Sequence, residues 1–147
     1  MRVHTVRIET VLGGLVLLLA CAAGSLAQTP ADGAALPREA TALEGLPQVQ
    51  VETTQDSVTR TELQPNEAAK RPLAIQIRNG QFFWASRGDR PLTQTAWGEF
   101  TYLSSSTEPG QYVRIRRVKD RFTYVEHVDT ERGSMTYWGE LRIVLGK

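Results

Sequence analysis

Two short segments of similar composition lie forty-one residues apart, Trp97-Gly98-Glu99 and Trp138-Gly139-Glu140. An indole ring stacks on the apolar face of a sugar, and a neighbouring carboxylate accepts hydrogen bonds from sugar hydroxyls. The two segments therefore predict a carbohydrate-binding surface if both tryptophans face solvent. The alternative interpretation is that these indoles close the ends of a hydrophobic core.

The same two glutamates, Glu99 and Glu140, also allow an enzymatic interpretation. Two carboxylates on either side of a glycosidic bond can hydrolyse it, and this pair would qualify if the strands that carry it were neighbours. Small domains rarely provide the deep cleft that such chemistry needs. We therefore favour a non-catalytic binding module over a small glycan hydrolase, with a purely structural protein-interaction domain as the third hypothesis.

Five basic residues surround the turn of a predicted β-hairpin near residue 119. They are Arg114, Arg116, Arg117, Lys119 and Arg121. Guanidinium groups bind carboxylates and phosphates, so this run suits an anionic component of the cell envelope. Arg114 and Arg116 share one side of a strand and are predicted as polar contacts of the binding surface. Alternatively, these charges only keep an exposed strand from aggregating.

The remaining reactive side chains exclude several classes of site. Cys21 is the only cysteine, and the histidines are His4 and His127, so a zinc site of several histidines or thiolates is excluded. Strand alternation places Glu126 and His127 on opposite faces, which argues against a Ser-His-Asp site. No glycine-rich phosphate loop or EF-hand pattern occurs, and we predict neither a metal nor a cofactor.

One further tripeptide, Arg87-Gly88-Asp89, lies in a predicted loop. It resembles the tripeptide that integrins recognise on adhesion proteins. A glycine between charged residues is also what an ordinary strand connection contains.

The first twenty-seven residues have the layout of a secretory signal peptide. Arg2 and Arg7 precede an apolar run from Val11 to Ala23, and small residues end at Ala27. The apolar run is shorter than the roughly twenty residues of a membrane-spanning helix. We predict export to the periplasm or the cell exterior, with cleavage after Ala27.

A second processing route is available at Leu18-Leu19-Ala20-Cys21. This segment resembles the lipobox of bacterial lipoproteins, which implies that Cys21 carries lipid and tethers the protein to a membrane. The other interpretation is that Cys21 is an ordinary apolar residue of the signal. Both routes export the protein.

Composition changes near Pro72. Residues 28–71 contain no aromatic residue and have a net charge of −3, whereas residues 72–147 contain all eleven aromatic residues and have a net charge of +3. We predict a flexible polar linker over 28–71, in which brief alternation at 49–52 and a helical turn at 65–70 are the main local signals. Because the charges cancel, nucleic acid is not a predicted partner.

Residues 72–147 are predicted to form a small β domain. Asn79-Gly80 favours a type I′ hairpin that pairs Ile77 with Phe82 and Ile75 with Trp84. A third strand is predicted at 95–104. A second hairpin joins 111–118 to 121–128, pairing Arg117 with Phe122, Ile115 with Tyr124 and Val113 with Glu126. The opposite face then carries Arg114, Arg116, Thr123 and His127.

A final strand is predicted at 135–145 with its odd-numbered residues in the core. Six short strands favour an all-β fold, an antiparallel meander closed as a barrel or as a two-sheet sandwich. The repeated Trp-Gly-Glu segment also suggests a duplicated three-stranded unit. Because no disulfide is available, pairing with another copy of the chain, or with the preceding linker, would supply further burial. A homo-oligomer is therefore a predicted partner state.

Overall fold

The computed structural model of the protein describes residues 34–146. The predicted signal peptide, its cleavage site and lipidation at Cys21 lie outside the described residues. The described part contains nine strands: β1 (Ala40–Thr54), β2 (Val58–Glu62), β3 (Leu73–Arg78), β4 (Gln81–Trp84), β5 (Arg90–Trp97), β6 (Phe100–Ser105), β7 (Tyr112–Val118), β8 (Arg121–Thr130) and β9 (Gly133–Leu145). A short helix α1 (Pro65–Ala68) follows β2, and one turn of 3₁₀ helix (Ala85–Arg87) follows β4.

Eight of these strands close into an antiparallel barrel. Consecutive strands pair from β3 to β9, β1 pairs with β3, and β9 returns to pair with β1. The ninth strand, β2, pairs with the second half of β1 outside the closed ring. The all-β class and the closed barrel are confirmed, whereas the prediction of six strands is wrong.

Two of the additional strands come from the segment predicted as a linker. The structure differs from that prediction from Ala40 onward, because residues 40–62 form β1 and β2. The apolar signal in β1 is weak because small residues are needed there. A Cβ atom on Gly45 would overlap Cε1 of Tyr124, so the ring from β8 fills the space that a large β1 side chain would occupy.

Another additional strand arises at Gly98. Residues 95–104 were predicted as one strand, but the chain turns at Gly98-Glu99, and Trp97 pairs with Phe100 across the resulting hairpin. Gly98 has a φ of 56°, a left-handed conformation that glycine adopts at little cost. The second Trp-Gly-Glu segment lies inside β9 instead, so the two segments occupy different structural settings and do not mark a duplicated unit.

The two predicted hairpins are confirmed in register. Asn79 and Gly80 have φ values of 53° and 75°, as the type I′ turn requires. The predicted partners face each other, namely Ile77 with Phe82, Ile75 with Trp84, Arg117 with Phe122, Ile115 with Tyr124 and Val113 with Glu126. In β9 the odd-numbered Tyr137, Gly139 and Leu141 are buried, as predicted, whereas Leu145 at the end of the strand is 56% exposed.

The barrel interior is the hydrophobic core, and its largest fully buried side chains are Trp84 and Tyr124. The segment before β1 closes the end of the barrel near the β5–β6 turn. There the hydroxyl of Thr101 donates to the carbonyl of Ala34 at 3.0 Å, and Ala34 is fully buried. Within residues 34–146, no helix has the length and apolar character needed to cross a membrane.

Candidate functional site

The outer side of strands β5 to β9 carries a continuous set of aromatic and basic side chains. Strand register sets Phe100 opposite Arg116, and Tyr102 opposite Arg114. On the next two strands, Val125 lies opposite Arg114, and Trp138 lies opposite Val125. We call this surface the aromatic–arginine face and define it by Trp97, Phe100, Tyr102, Tyr112, Arg114, Arg116, His127 and Trp138.

Four rings of this face form a row across the strands. The centroid distances are 6.2 Å from Trp97 to Tyr102, 5.9 Å from Tyr102 to Tyr112 and 5.4 Å from Tyr112 to His127. These distances lie in the range that aromatic pairs prefer, so the rings support one another. Trp97 ends the row with 74% of its surface exposed, and a ligand can therefore reach its indole.

The two predicted arginines are held beside the ring of Phe100. The guanidinium carbon lies 4.8 Å from the ring centroid for Arg114 and 5.7 Å for Arg116, which are cation–π distances. Arg116 also pairs with Glu99 at 3.1 Å. Arg114 has no carboxylate within ion-pair distance among residues 34–146, so its charge is oriented by a ring and is not neutralised there.

A shallow depression brings three of the predicted site residues together. Arg114, Arg116 and Trp138 line it with Phe100 and Thr123, and its volume is about 210 Å³. This volume is below the usual range of enclosed ligand pockets. The site is therefore an extended surface with a small central depression.

The other predicted residues lie around that centre. Trp97 and Trp138 both lie on the outer side, but β6, β7 and β8 separate their strands, so the two indoles do not form one platform. Glu140 pairs with Arg121 at 3.0 Å. Both glutamate side chains are about half exposed.

Glu99 and Glu140 do not lie on neighbouring strands. Glu99 adjoins β6, Glu140 lies on β9, and two strands run between them. Three strand spacings correspond to roughly 14 Å along the barrel surface. The hydrolase hypothesis required the two glutamates to lie on neighbouring strands, and this condition is not met.

Sequence reasoning missed the rings that connect this face: Phe100, Tyr102, Tyr112 and His127. The available signal was Gly98, since a glycine inside a strand pattern indicates an interruption of the strand. A turn at that position places Phe100 and Tyr102 on the same side of β6 and opposite the arginines of β7.

The barrel interior contains a second polar group of similar composition. Glu126 is fully buried, and its Oε1 accepts hydrogen bonds from Trp84 Nε1 at 3.1 Å and Arg87 Nε at 3.2 Å. Its Oε2 and the hydroxyl of Tyr124 have no hydrogen-bond partner in the described part of the chain. Burial raises the pKa of Glu126 above its ordinary value, although Arg87 and Trp84 oppose the change.

The barrel interior also makes the Tyr124 hydroxyl harder to ionise. Burial, reinforced by the nearby Glu126 carboxyl, raises the pKa of Tyr124. Both groups are therefore harder to ionise than they would be in water, because a low-dielectric interior disfavours charge. This region serves the packing of the barrel and does not resemble an open reaction centre.

The Arg87-Gly88-Asp89 tripeptide has both of its charged ends engaged. Arg87 turns inward to Glu126, while Asp89 accepts two hydrogen bonds from Arg78 at 2.8 and 2.9 Å. The Arg87 side chain is 30% exposed and the Asp89 side chain 48%, but both charges are already paired within the protein.

A larger groove of the described residues lies elsewhere, between β1 and α1. It has a volume of about 840 Å³ and a mainly apolar lining that includes Leu46, Leu63, Pro65 and Leu73. This lining has no aromatic ring among the described residues, so it lacks the stacking surface that a sugar ring would use.

Comparisons with known proteins do not assign this chain to a family. No family model, no curated protein and no solved structure matches it. Residues 34–146 also contain no cluster of three or more histidine, cysteine or acidic side chains suited to a metal ion. A functional assignment therefore depends on the geometry of the aromatic–arginine face.

Proposed function

We propose that this protein is an exported, non-catalytic binding module whose aromatic–arginine face holds an acidic glycan of the cell envelope. The main support for this proposal is the exposure of Trp97. Its indole is 74% exposed and ends a row of packed rings. Large exposed aromatic side chains in such a row are typical of binding surfaces. The export step comes from the amino-terminal sequence pattern.

The row of rings favours an extended sugar chain over a single sugar. Trp97, Tyr102 and Tyr112 follow one another at centroid distances of 6.2 and 5.9 Å. Flat apolar rings can pack against successive sugars, and the tyrosine hydroxyls can donate hydrogen bonds at the same time. An open surface without a deep cleft can also bind the middle of a polymer chain as well as its ends.

The arginines favour a glycan that carries acidic groups. Arg114 is oriented by Phe100 and is not paired with a carboxylate among residues 34–146. A guanidinium presents several donors in a plane that matches a carboxylate or a phosphate. Arg116 is already shared with Glu99, so Arg114 is the principal contact for a ligand anion.

The glutamates support a binding role over hydrolysis. Glu99 and Glu140 are each paired with an arginine, and two strands separate them. In the binding module they orient Arg116 and Arg121 and accept hydrogen bonds from sugar hydroxyls at the rim of the face.

Calorimetric titration with oligogalacturonate tests this proposal. Its methyl ester carries the same sugar rings without charge, and polyphosphate carries charge without rings. We expect the acid form to bind most tightly. Trp97→Ala should weaken binding about tenfold, the effect of losing one stacking contact of about 1.4 kcal/mol. Arg114→Gln should weaken binding of the acid form and leave binding of the ester unchanged.

Phe83→Ala provides the matched control. Phe83 stacks under Arg78 at 4.9 Å on β4, so it is a similar ring–arginine pair outside the aromatic–arginine face. This variant should bind like the parent protein. Equal binding of oligogalacturonate by the parent and by Trp97→Ala would contradict the proposal, and tighter binding of polyphosphate would exclude the sugar as the recognised group.

A further inference from the structure

Strand β2 has one edge without a partner in the described part of the chain. Its five residues pair with β1 along one side, and all five are exposed. Among them, the apolar Val58 has 71% of its surface exposed. The strand contains no proline, and its pairing with β1 continues without a bulge, so it lacks two of the features that commonly block a sheet edge.

The hydrogen-bond pattern shows which backbone groups face this free edge. The pairs at the two ends of the ladder are bonded, since Thr54 N–H donates to Ser57 and Leu63 N–H donates to Gln48. Bonded pairs alternate along an antiparallel ladder, so Thr59 and Thr61 face β1. The N–H and C=O groups of Val58, Arg60 and Glu62 point outward and are available to a further strand.

Charge selects one way of pairing two such edges. If two β2 strands met antiparallel with Arg60 at the centre, the two arginines would oppose each other. If the centre lay at Thr61, Arg60 would instead oppose the partner's Glu62, and Glu62 would oppose the partner's Arg60. Opposite charges on directly facing residues stabilise a strand pair, and like charges destabilise it.

We propose that two copies of this chain associate through their β2 edges, antiparallel about a twofold axis at Thr61. The symmetric arrangement makes the same contact twice, as closed dimers do. In the single chain Arg60 and Glu62 pair with each other at 3.4 Å and are largely exposed, so both are free to exchange this contact for the one across the dimer. The contact area of two short strands is small, so the dimer forms at high protein concentration.

The dimer has a consequence for ligand binding that rests on the proposed function, although the dimer itself does not. No residue of the aromatic–arginine face lies on β2, so each dimer would carry two faces. Two linked sites bind a polymeric ligand with greater avidity than one.

Sedimentation velocity of the full chain over a wide concentration range tests the dimer. The parent protein should shift from monomer to dimer as concentration rises. Arg60→Glu and Glu62→Arg should each raise the dissociation constant roughly tenfold or more, because each places like charges opposite each other twice. The double variant Arg60→Glu/Glu62→Arg restores both opposite-charge pairs and should recover the parent dimer.

Lys119→Glu is the matched control, because it makes the same charge reversal in the β7–β8 turn and should leave the dimer unchanged. Amide hydrogen exchange gives a second readout. Arg60 and Glu62 should become protected as concentration rises, whereas Thr59 and Thr61 should be protected throughout. A monomer at every concentration, or a dimer that both single reversals leave intact, would overturn the proposal.

Discussion

The inner and outer sides of the barrel use the same residue types for different purposes. Inside, Trp84, Arg87 and Glu126 form a compact group in which the indole and guanidinium both donate to one carboxylate. Outside, Arg114 and Arg116 lie beside the ring of Phe100, and the indole of Trp97 is 74% exposed. Residue type therefore does not distinguish a structural cluster from a binding surface in this protein, whereas burial and the presence of a partner do.

The contrast arises from strand alternation within single hairpins. Glu126 and His127 are neighbours in sequence, yet one is fully buried inside the barrel and the other stacks on Tyr112 outside. Their neighbours in space come from different parts of the chain: Trp84 and Arg87 bind Glu126, whereas Thr136 lies 2.9 Å from the ring nitrogen of His127.

The largest difference between the two sides should appear when equivalent tryptophans are removed. Trp84→Ala should lower the free energy of unfolding by about 3–5 kcal/mol, because it leaves a large cavity in the core. Trp97→Ala should change it by no more than about 0.5 kcal/mol, since the indole is mostly exposed. Urea denaturation measures both, and similar losses for the two variants would remove the distinction between the sides.

The two glycines of the Trp-Gly-Glu segments should differ in how strongly an alanine substitution destabilises the protein. A Cβ on Gly139 would meet Tyr124 Cε1 at 2.8 Å and overlap the carbonyl of Leu46, so Gly139→Ala should destabilise the barrel by about 3 kcal/mol. A Cβ on Gly98 has open space around it, and Gly98→Ala should lose only about 1 kcal/mol through its left-handed φ. Thermal unfolding of both variants measures these losses of stability. A larger loss for Gly98→Ala than for Gly139→Ala would contradict the prediction.

A smaller effect should be seen in the pH dependence of stability. The folded protein holds the pKa of Glu126 above that of the unfolded chain, so the unfolded chain ionises first as pH rises. Stability from this group is therefore full below the unfolded pKa and decreases as pH rises toward the folded pKa. Glu126→Gln keeps an oxygen acceptor for Trp84 and Arg87 and should remove this decrease.

Unfolding measured from pH 4 to pH 8 tests that expectation, with Glu99→Gln on the outer side as the matched control. The control should retain the decrease that the parent protein shows. A steeper loss of stability with pH in Glu126→Gln than in the parent would contradict a pKa of Glu126 that folding raises.

Local sequence signals predicted the parts of the fold that depend on local structure. Asn79-Gly80 fixed one hairpin, and alternation assigned Glu126 and Arg114 to opposite sides of the second hairpin. The role of residues 40–54 could not be predicted in the same way. Gly45 is small because of Tyr124, a residue seventy-nine positions later, and no local pattern reports that contact.

The candidate site was predictable in part for a similar reason. The predicted set includes both tryptophans and both arginines of the aromatic–arginine face, because their types and alternation can be read directly. The ring row was missed because it depends on the turn at Gly98, which sets β5 and β6 side by side. The Arg87–Glu126 contact joins residues thirty-nine positions apart and also has no local signal.

The three indole N–H resonances of the protein test the central claim most directly, because Trp84, Trp97 and Trp138 are its only tryptophans. During a titration with oligogalacturonate, followed by ¹H–¹⁵N correlation spectra, we expect the signals of Trp97 and Trp138 to move while that of Trp84 stays in place. Movement of the Trp84 signal alone, or binding that moves none of the three, would contradict a ligand site on the outer side of the barrel.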